Sequence, residues 1–324
     1  MLLGLQARDR GEPAPSVVVG LGEILWDVFD TAERFGGAPA NFACHASSFG
    51  AEAHMVGAVG ADVRGQRALA ALHDHCVDTA CVVVVPEVPT GYVRIRVGAR
   101  GAPDFEIPDD AAWDRIPWTP TMEHLARRTD AVCFGTFVQR STVTRRTLRR
   151  FLEATRDTCL RVFDVNLRQD EVDEEVIGWG LGRCSVLKLN EMELAIVANL
   201  AGASGGDVEM GMAHLLRRYS LQCVIVTLGD RGAIVMDGAR TVSVCGHLTE
   251  VVDAVGAGDA FTATITMGLL SGRRAPDAAA HACRLATLVC GHAGAVPDLP
   301  SIAYEWTEVV GSCNAGPERE GEER

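Results

Sequence analysis

Between a lead-in rich in Gly, Pro and Arg (residues 1–15) and a charged tail (313–324), apolar runs alternate with segments of helical periodicity. That alternation limits the fold more than any other feature. Ser16 to Leu21, Ala53 to Val59, Ala131 to Phe134, Leu160 to Asp164, Val186 to Leu189 and Val224 to Thr227 read as strands. Ala38 to Phe49, Arg64 to His75 and segments near 142–157, 174–183, 191–199 and 208–219 read as helices. Strands joined by crossover helices predict an α/β fold with a doubly wound, mostly parallel sheet. Two stretches break the rhythm. Ile24 to Phe35 follows the first strand with no helix, and Ala80 to Ile107 holds three strand-like runs, Cys81–Val85, Tyr92–Val97 and Asp104–Ile107. Strands without crossover helices predict a small antiparallel patch outside the main sheet.

A chain of 324 residues with 48% hydrophobic content suits one large domain, here residues 16–312. Its net charge of −13 argues against nucleic-acid and anionic-membrane partners. Lys188 is the only lysine, so a Walker-type loop is excluded, as is a protein-kinase strand lysine with its His-Arg-Asp loop. Any phosphate chemistry must then rest on backbone amides and arginine. The eleven cysteines form no CxxC and several lie in apolar runs, as reduced thiols of a cytoplasmic protein would. The metal-like cluster His73-Asp74-His75-Cys76 closes a helical pattern, where residues two apart face different sides, and reads as a solvated helix end.

The run Val251-Val252-Asp253-Ala254-Val255-Gly256-Ala257-Gly258-Asp259-Ala260-Phe261 carries the chemistry. Three small residues opening a helix leave the amides of Gly256, Ala257 and Gly258 uncovered, and with the helix dipole they form an anion pocket. Asp259 stands at its lip, placed to take a proton from a hydroxyl while the pocket holds a phosphoryl group. Read alone, the run is equally an ordinary turn with an N-cap. Asp27 lies just past the first strand's C-terminal end, where ligands bind in open α/β sheets. Gly36 and Gly37 permit close backbone approach, and Asn41 both donates and accepts. Asn166 and Arg168 follow another strand, and Thr227, Gly229 and Gly232 another. Asn190 and Glu193 have the spacing of a capping box. Gly20-Leu21-Gly22 is no dinucleotide fingerprint, because Leu25 replaces the third glycine and no helix follows.

Four ordered motifs resemble the PfkB/ribokinase family of carbohydrate kinases: Gly36-Gly37-Ala38-Pro39-Ala40-Asn41-Phe42-Ala43, Asn190-x-x-Glu193, Thr227-Leu228-Gly229-Asp230-Arg231-Gly232, and the Asp253–Asp259 run. The resemblance spans about residues 16 to 300. It departs at Ala254, where the family has Thr, at Thr264, where it prefers a small residue, and at Cys76, where Gly commonly ends the second helix. The resemblance implies a ribokinase-like fold whose β lid, from about 24–36 and 80–110, closes over a sugar and often joins subunits, here a homodimer. It implies sugar contacts from Asp27, Gly36, Gly37, Asn41 and Phe105. For ATP it implies Asn166, Arg168, Asn190, Thr227, Gly229 and Gly232; for Mg²⁺-linked phosphate, Glu193. A monovalent cation, K⁺, is an option near Asp253.

Relatives acting on the acid sugar 2-keto-3-deoxygluconate usually offer Tyr-x-Arg in the lid, whereas this chain has an apolar residue beside Glu106. Ala112-Trp113-Asp114 and Cys133-Phe134-Gly135-Thr136 resemble bacterial fructokinase-like members. The expectation is therefore ATP-dependent phosphorylation of a neutral sugar, fructose first, with Asp259 as general base. The alternatives are a 2-keto-3-deoxygluconate, ribose or nucleoside kinase of the same fold, and a non-catalytic sugar sensor.

Overall fold

Val17, Val19 and Leu21 turn to one side of the first strand and Val18 to the other, and each set meets its own helical layer. Burial on both faces is the condition under which a parallel sheet forms. The computed structural model describes residues 14–97, 103–167, 172–203, 205–238 and 240–306; the side chains of 95–97 and 103–105 fall outside that description.

In chain order the elements are β1 (Val17–Leu21), β2 (Leu25–Val28), β3 (Glu33–Gly36), α1 (Ala38–Ser48), β4 (Glu52–Gly60), α2 (Val63–Asp74), β5 (Asp78–Val85), β6 (Gly91–Val97) and β7 (Pro103–Glu106). There follow α3 (Pro120–Arg128), β8 (Ala131–Phe134), α4 (Thr142–Ala154), β9 (Leu160–Asp164), α5 (Glu174–Leu181), β10 (Val186–Asn190), α6 (Glu191–Leu200), α7 (Val208–Arg218) and β11 (Cys223–Thr227). The last are β12 (Gly232–Asp237), β13 (Arg240–Cys245), α8 (Ala257–Leu270) and α9 (Ala275–Cys290).

A nine-stranded sheet runs β13-β12-β11-β10-β9-β8-β1-β4-β5, parallel except for the β11–β12–β13 edge. Helices α3 to α7 cover one face and α1, α8 and α9 the other. Strand order reverses between β1 and β8, so the crevice beyond their C-terminal ends is where a ligand site is expected in such sheets. Gly20 contributes here for a reason unrelated to nucleotide binding. A Cβ at that position would lie 2.1 Å from the Pro39 carbonyl oxygen, so glycine lets α1 press against β1.

The second sheet is β3-β2-β6-β7, with antiparallel β2–β3 and β6–β7 pairs and a parallel β2–β6 pair. Its side chains alternate as strand geometry requires. Trp26, Phe35 and Tyr92 pack on the α2 side, where Arg67 stacks 4.0 Å from the Trp26 ring and Trp26 Nε1 donates to the Arg64 carbonyl. Leu25, Asp27 and Val93 face the crevice.

Three expectations need correction. Cys81–Val85 does not belong to the small sheet: it forms most of β5, parallel to β4 at the edge of the main sheet. Helix α2 is the crossover that takes it there. The small sheet is not wholly antiparallel, because β2 and β6 run the same way. Cys245 is disulfide-bonded, whereas nine other cysteines are free thiols as expected.

Helix α2 ends at Asp74, and Cys76 just beyond it has φ of +56°. A side chain in this left-handed region costs roughly 1–2 kcal/mol, partly offset in glycine by its greater unfolded-state freedom. Cys76→Gly is therefore expected to raise the unfolding free energy by about 0.5–1 kcal/mol in urea titration.

Candidate active site

Helix α8 begins at the sheet's C-terminal edge with Gly256 in the left-handed region, φ +80°. A Cβ there would fall 2.4 Å from Ala295 Cα, so only glycine lets the helix start seat against the 294–295 turn. No side chain caps this N-terminus. Its first-turn amides therefore remain available to an anion. Asp259, in that first turn, lines a cleft of about 510 Å³ together with Gly256, Gly258, Asp27, Gly37 and Asn41. The general-base candidate Asp259, the amide pocket and Asp27 thus share one space.

Asn41 holds Asp259 directly, its Nδ2 donating to Oδ2 at 2.8 Å. Its Oδ1 is buried without a hydrogen-bond partner among the described residues, an unusual state for a buried acceptor. Gly36 leaves room for Asp27, since a Cβ there would come within 2.9 Å of Asp27 Oδ2. Gly37, at φ +112° between β3 and α1, packs against the β1–β2 link, where a Cβ would meet the Glu23 carbonyl oxygen at 2.5 Å.

Other candidates sit at the same sheet edge with different partners. Asn166 lines the cleft in a left-handed conformation, φ +42°, which asparagine tolerates better than most residues. Glu193 spends both carboxylate oxygens on backbone amides, Asn190 N and Leu167 N, each at 2.8 Å. With Asn190 Oδ1 accepting from Glu193 N, it is a complete capping box that also ties the loop after β9 to α6. Burial pushes the Glu193 carboxyl up; the Asn190 amide and the Lys188 ammonium oppose this. Thr227 ends β11, Gly229 lies in the turn after it and Gly232 opens β12; Thr227 Oγ1 donates to the Leu189 carbonyl at 3.3 Å. Neither they nor Asn190 line the 510 Å³ cleft. Asp253 accepts from Val255 N at 3.0 Å and Gly294 N at 3.1 Å, and is ion-paired with Arg34. Arg168 lies outside the described residues, and Phe105 is placed only as a backbone position on β7.

Two residues join the site that the motifs did not assign. Glu23, 4% exposed, lines the cleft, and its Oε1 accepts from the Ala38 amide at 3.3 Å. Its place one residue after the Gly22 turn was the available signal. Lys188, which from sequence could equally be a phosphate contact or a plain strand-end residue, is the other. It is the cross-strand partner of Asp164, and its Nζ donates to both Asp164 oxygens at 3.0 and 3.1 Å. Asp164 Oδ2 also accepts from Thr262 Oγ1 of α8, at 2.8 Å. A Cβ on Gly258 would lie 3.4 Å from the ammonium, so the positive charge abuts the amide pocket. Burial alone would lower the Lys188 pKa, but the Asp164 and Glu193 carboxylates outweigh it and the net shift is upward. The departure at Thr264 is absorbed inside α8, where its hydroxyl donates to the Ala260 carbonyl at 2.8 Å.

Among the described residues no group of three or more His, Cys, Asp or Glu is arranged to hold a metal ion. Nor is any described helix long and apolar enough to cross a membrane.

Residues 7–302 match the family described as pfkB family carbohydrate kinase. An ATP-dependent 6-phosphofructokinase of Thermoanaerobacterium thermosaccharolyticum is 26% identical over 308 residues, 88% of this chain and 91% of its own. A fructokinase of Salmonella typhimurium is 26% identical over 261 residues, 77% of this chain and 83% of its own. Among solved structures, a fructokinase of Vibrio cholerae O395 with fructose, ADP and calcium ion bound superposes with a TM-score of 0.77. It is 21% identical, covering 90% of this chain and 99% of its own. The chain belongs to the pfkB family of carbohydrate kinases.

Replacing Lys188 by Met leaves Asp164 buried and uncompensated. The variant is expected to lose about 3–5 kcal/mol of unfolding free energy in urea titration. His45 gives a pH-dependent case. Its ring accepts from Tyr304 Oη at Nδ1 (3.1 Å) and donates from Nε2 to the Ala295 carbonyl (3.0 Å), a network satisfied by the neutral tautomer. Burial holds its pKa down to about 4 from 6.5. A lowered pKa means the stability it contributes is present above about pH 6.5 and is lost as pH falls toward 4. The loss is on the order of 3 kcal/mol. His45→Gln is expected to lose less over that window by thermal melting.

Proposed function

We propose that this carbohydrate kinase transfers the γ-phosphoryl group of ATP to a hydroxyl of a neutral sugar, fructose first. The observation that carries the reading is the shared cleft. Asp259, the bare α8 amides and Asp27 all open into one space of about 510 Å³, on the crevice side of the small sheet. In this reading Asp27 accepts from sugar hydroxyls, and Leu25, Val93, Ile107 and Phe137 give the ring an apolar surround. The attacking hydroxyl oxygen bonds to the γ-phosphorus as the bond to the bridging oxygen breaks and ADP leaves. Asp259 receives the hydroxyl proton. The amides of Gly256, Ala257 and Gly258 and the adjacent Lys188 ammonium take up charge on the phosphoryl oxygens. Asn41 fixes the carboxylate's direction.

The acids Glu23, Asp27 and Asp259 in the cleft disfavour a carboxylate or phosphate on the sugar at that position. Arg94, a candidate partner for such an anion, is paired with Glu106 at 3.5 Å. For the nucleotide, Asn166 and the β10 and β11 ends supply the polar edge, with Thr227, Gly229 and Gly232 beside it. A divalent ion would enter as a companion of the triphosphate, and Glu193 would contact it through water by a second lone pair of an oxygen that already accepts from a backbone amide. When bound, it neutralises charge on the β- and γ-phosphates.

Asp259→Asn is expected to lower kcat by 10²–10⁴-fold in a coupled ADP-release assay. The sugar KM should change far less, and the circular dichroism spectrum should match wild type. Near-normal turnover would refute the role. A panel of fructose, ribose, 2-keto-3-deoxygluconate, fructose 6-phosphate and nucleosides tests the substrate; highest kcat/KM on an anionic sugar would refute the neutral-sugar assignment.

A further inference from the structure

The antiparallel β2–β3 hairpin sets Asp27 and Arg34 directly opposite each other. Opposed residues in such a pair project to the same face, here the face that looks into the cleft. Arg34 leaves its own sheet and pairs with Asp253, on the loop leading to the anion pocket. Asp253 is a stapling residue. One oxygen accepts from Val255 N, directly before Gly256, and the other from Gly294 N, directly before the Ala295 against which Gly256 is packed. The carboxylate thus ties together the two backbone segments that set the start of α8.

A monovalent cation near Asp253 was an expectation from the family resemblance. The residues present do not fit one on this carboxylate. A guanidinium already balances its charge, and its two oxygens accept from Arg34 and two amides. We propose that Arg34 is a built-in cation that replaces a bound monovalent ion at Asp253 and, as a positioning residue, couples the seating of the small sheet to the geometry of the anion pocket. The consequence for turnover rests on the kinase reading above; the consequence for ion binding does not.

The test compares the purified full chain in KCl and in tetramethylammonium chloride of equal ionic strength, with two readouts. In thermal melting, the wild type is expected to melt at the same temperature in both salts. Arg34→Met should melt about 2–4 °C lower in tetramethylammonium and recover part of that loss in KCl. In ADP release with the best sugar, wild-type kcat should be unchanged within two-fold between salts. Arg34→Met should lose about 10- to 100-fold in kcat with a smaller change in sugar KM. Millimolar guanidinium, KCl or the Arg34→Lys change should restore part of it. Wild-type melting raised by KCl, or an Arg34→Met protein indifferent to every cation, would overturn the proposal. If no sugar gives ADP release, the kinase reading fails while the melting comparison still decides this one.

Discussion

The buried Lys188–Asp164 pair holds the site in place. β9 and β10 bring the two side chains together as register partners, and Thr262 extends the contact into α8 through Asp164. Thr262 Oγ1 also lies 2.8 Å from the Gly258 carbonyl, so this cluster reaches the first turn of the helix. A helix start with no side-chain cap is a weak structure by itself. Anchored from below by an ion pair and from the side by the Ala295 turn, it becomes a fixed array of donors. Fixed donors matter because stabilisation of developing charge depends on their being in position before the reaction.

The same ion pair explains why one lysine remains in a chain whose other 29 basic residues are arginine. The space between Asp164 and Gly258 is narrow, with 3.4 Å from the ammonium to where a Gly258 Cβ would sit. A compact point charge fits there, whereas a planar guanidinium needs a wider slot. On the opposite wall the requirement reverses: Arg34 spans from one sheet to another loop, a reach suited to a long forked side chain.

Much of the fold was legible in the sequence because strand–helix alternation is a local signal. The predicted strands β1, β4, β8, β9, β10 and β11 fall within a residue or two of their observed limits. The Cys81–Val85 run was misassigned because sequence gives a strand's existence but not its sheet; α2 was the crossover that should have placed it. The parallel β2–β6 pairing was hidden for the same reason, being a contact between segments over sixty residues apart. At the site, Asp259, Asp27, Gly37 and Asn41 were identifiable from small-residue turns at strand ends, and they do converge. What sequence could not supply was direction. Asn41 points its amide at Asp259, Glu193 caps α6 with one oxygen and holds the loop after β9 with the other, and Asp253 faces Arg34. Such partnerships depend on side chains up to 219 positions apart, beyond any local pattern.

In the proposed mechanism Asp259 and the α8 amides act together on one hydroxyl and one phosphoryl group. The most direct test is a crystal structure with ADP, aluminium fluoride and fructose. The planar fluoride is expected against the amides of Ala257 and Gly258, with a sugar hydroxyl oxygen about 3 Å from an Asp259 carboxylate oxygen. A fluoride seated elsewhere, or an Asp259 carboxylate turned away from every sugar oxygen, would contradict it.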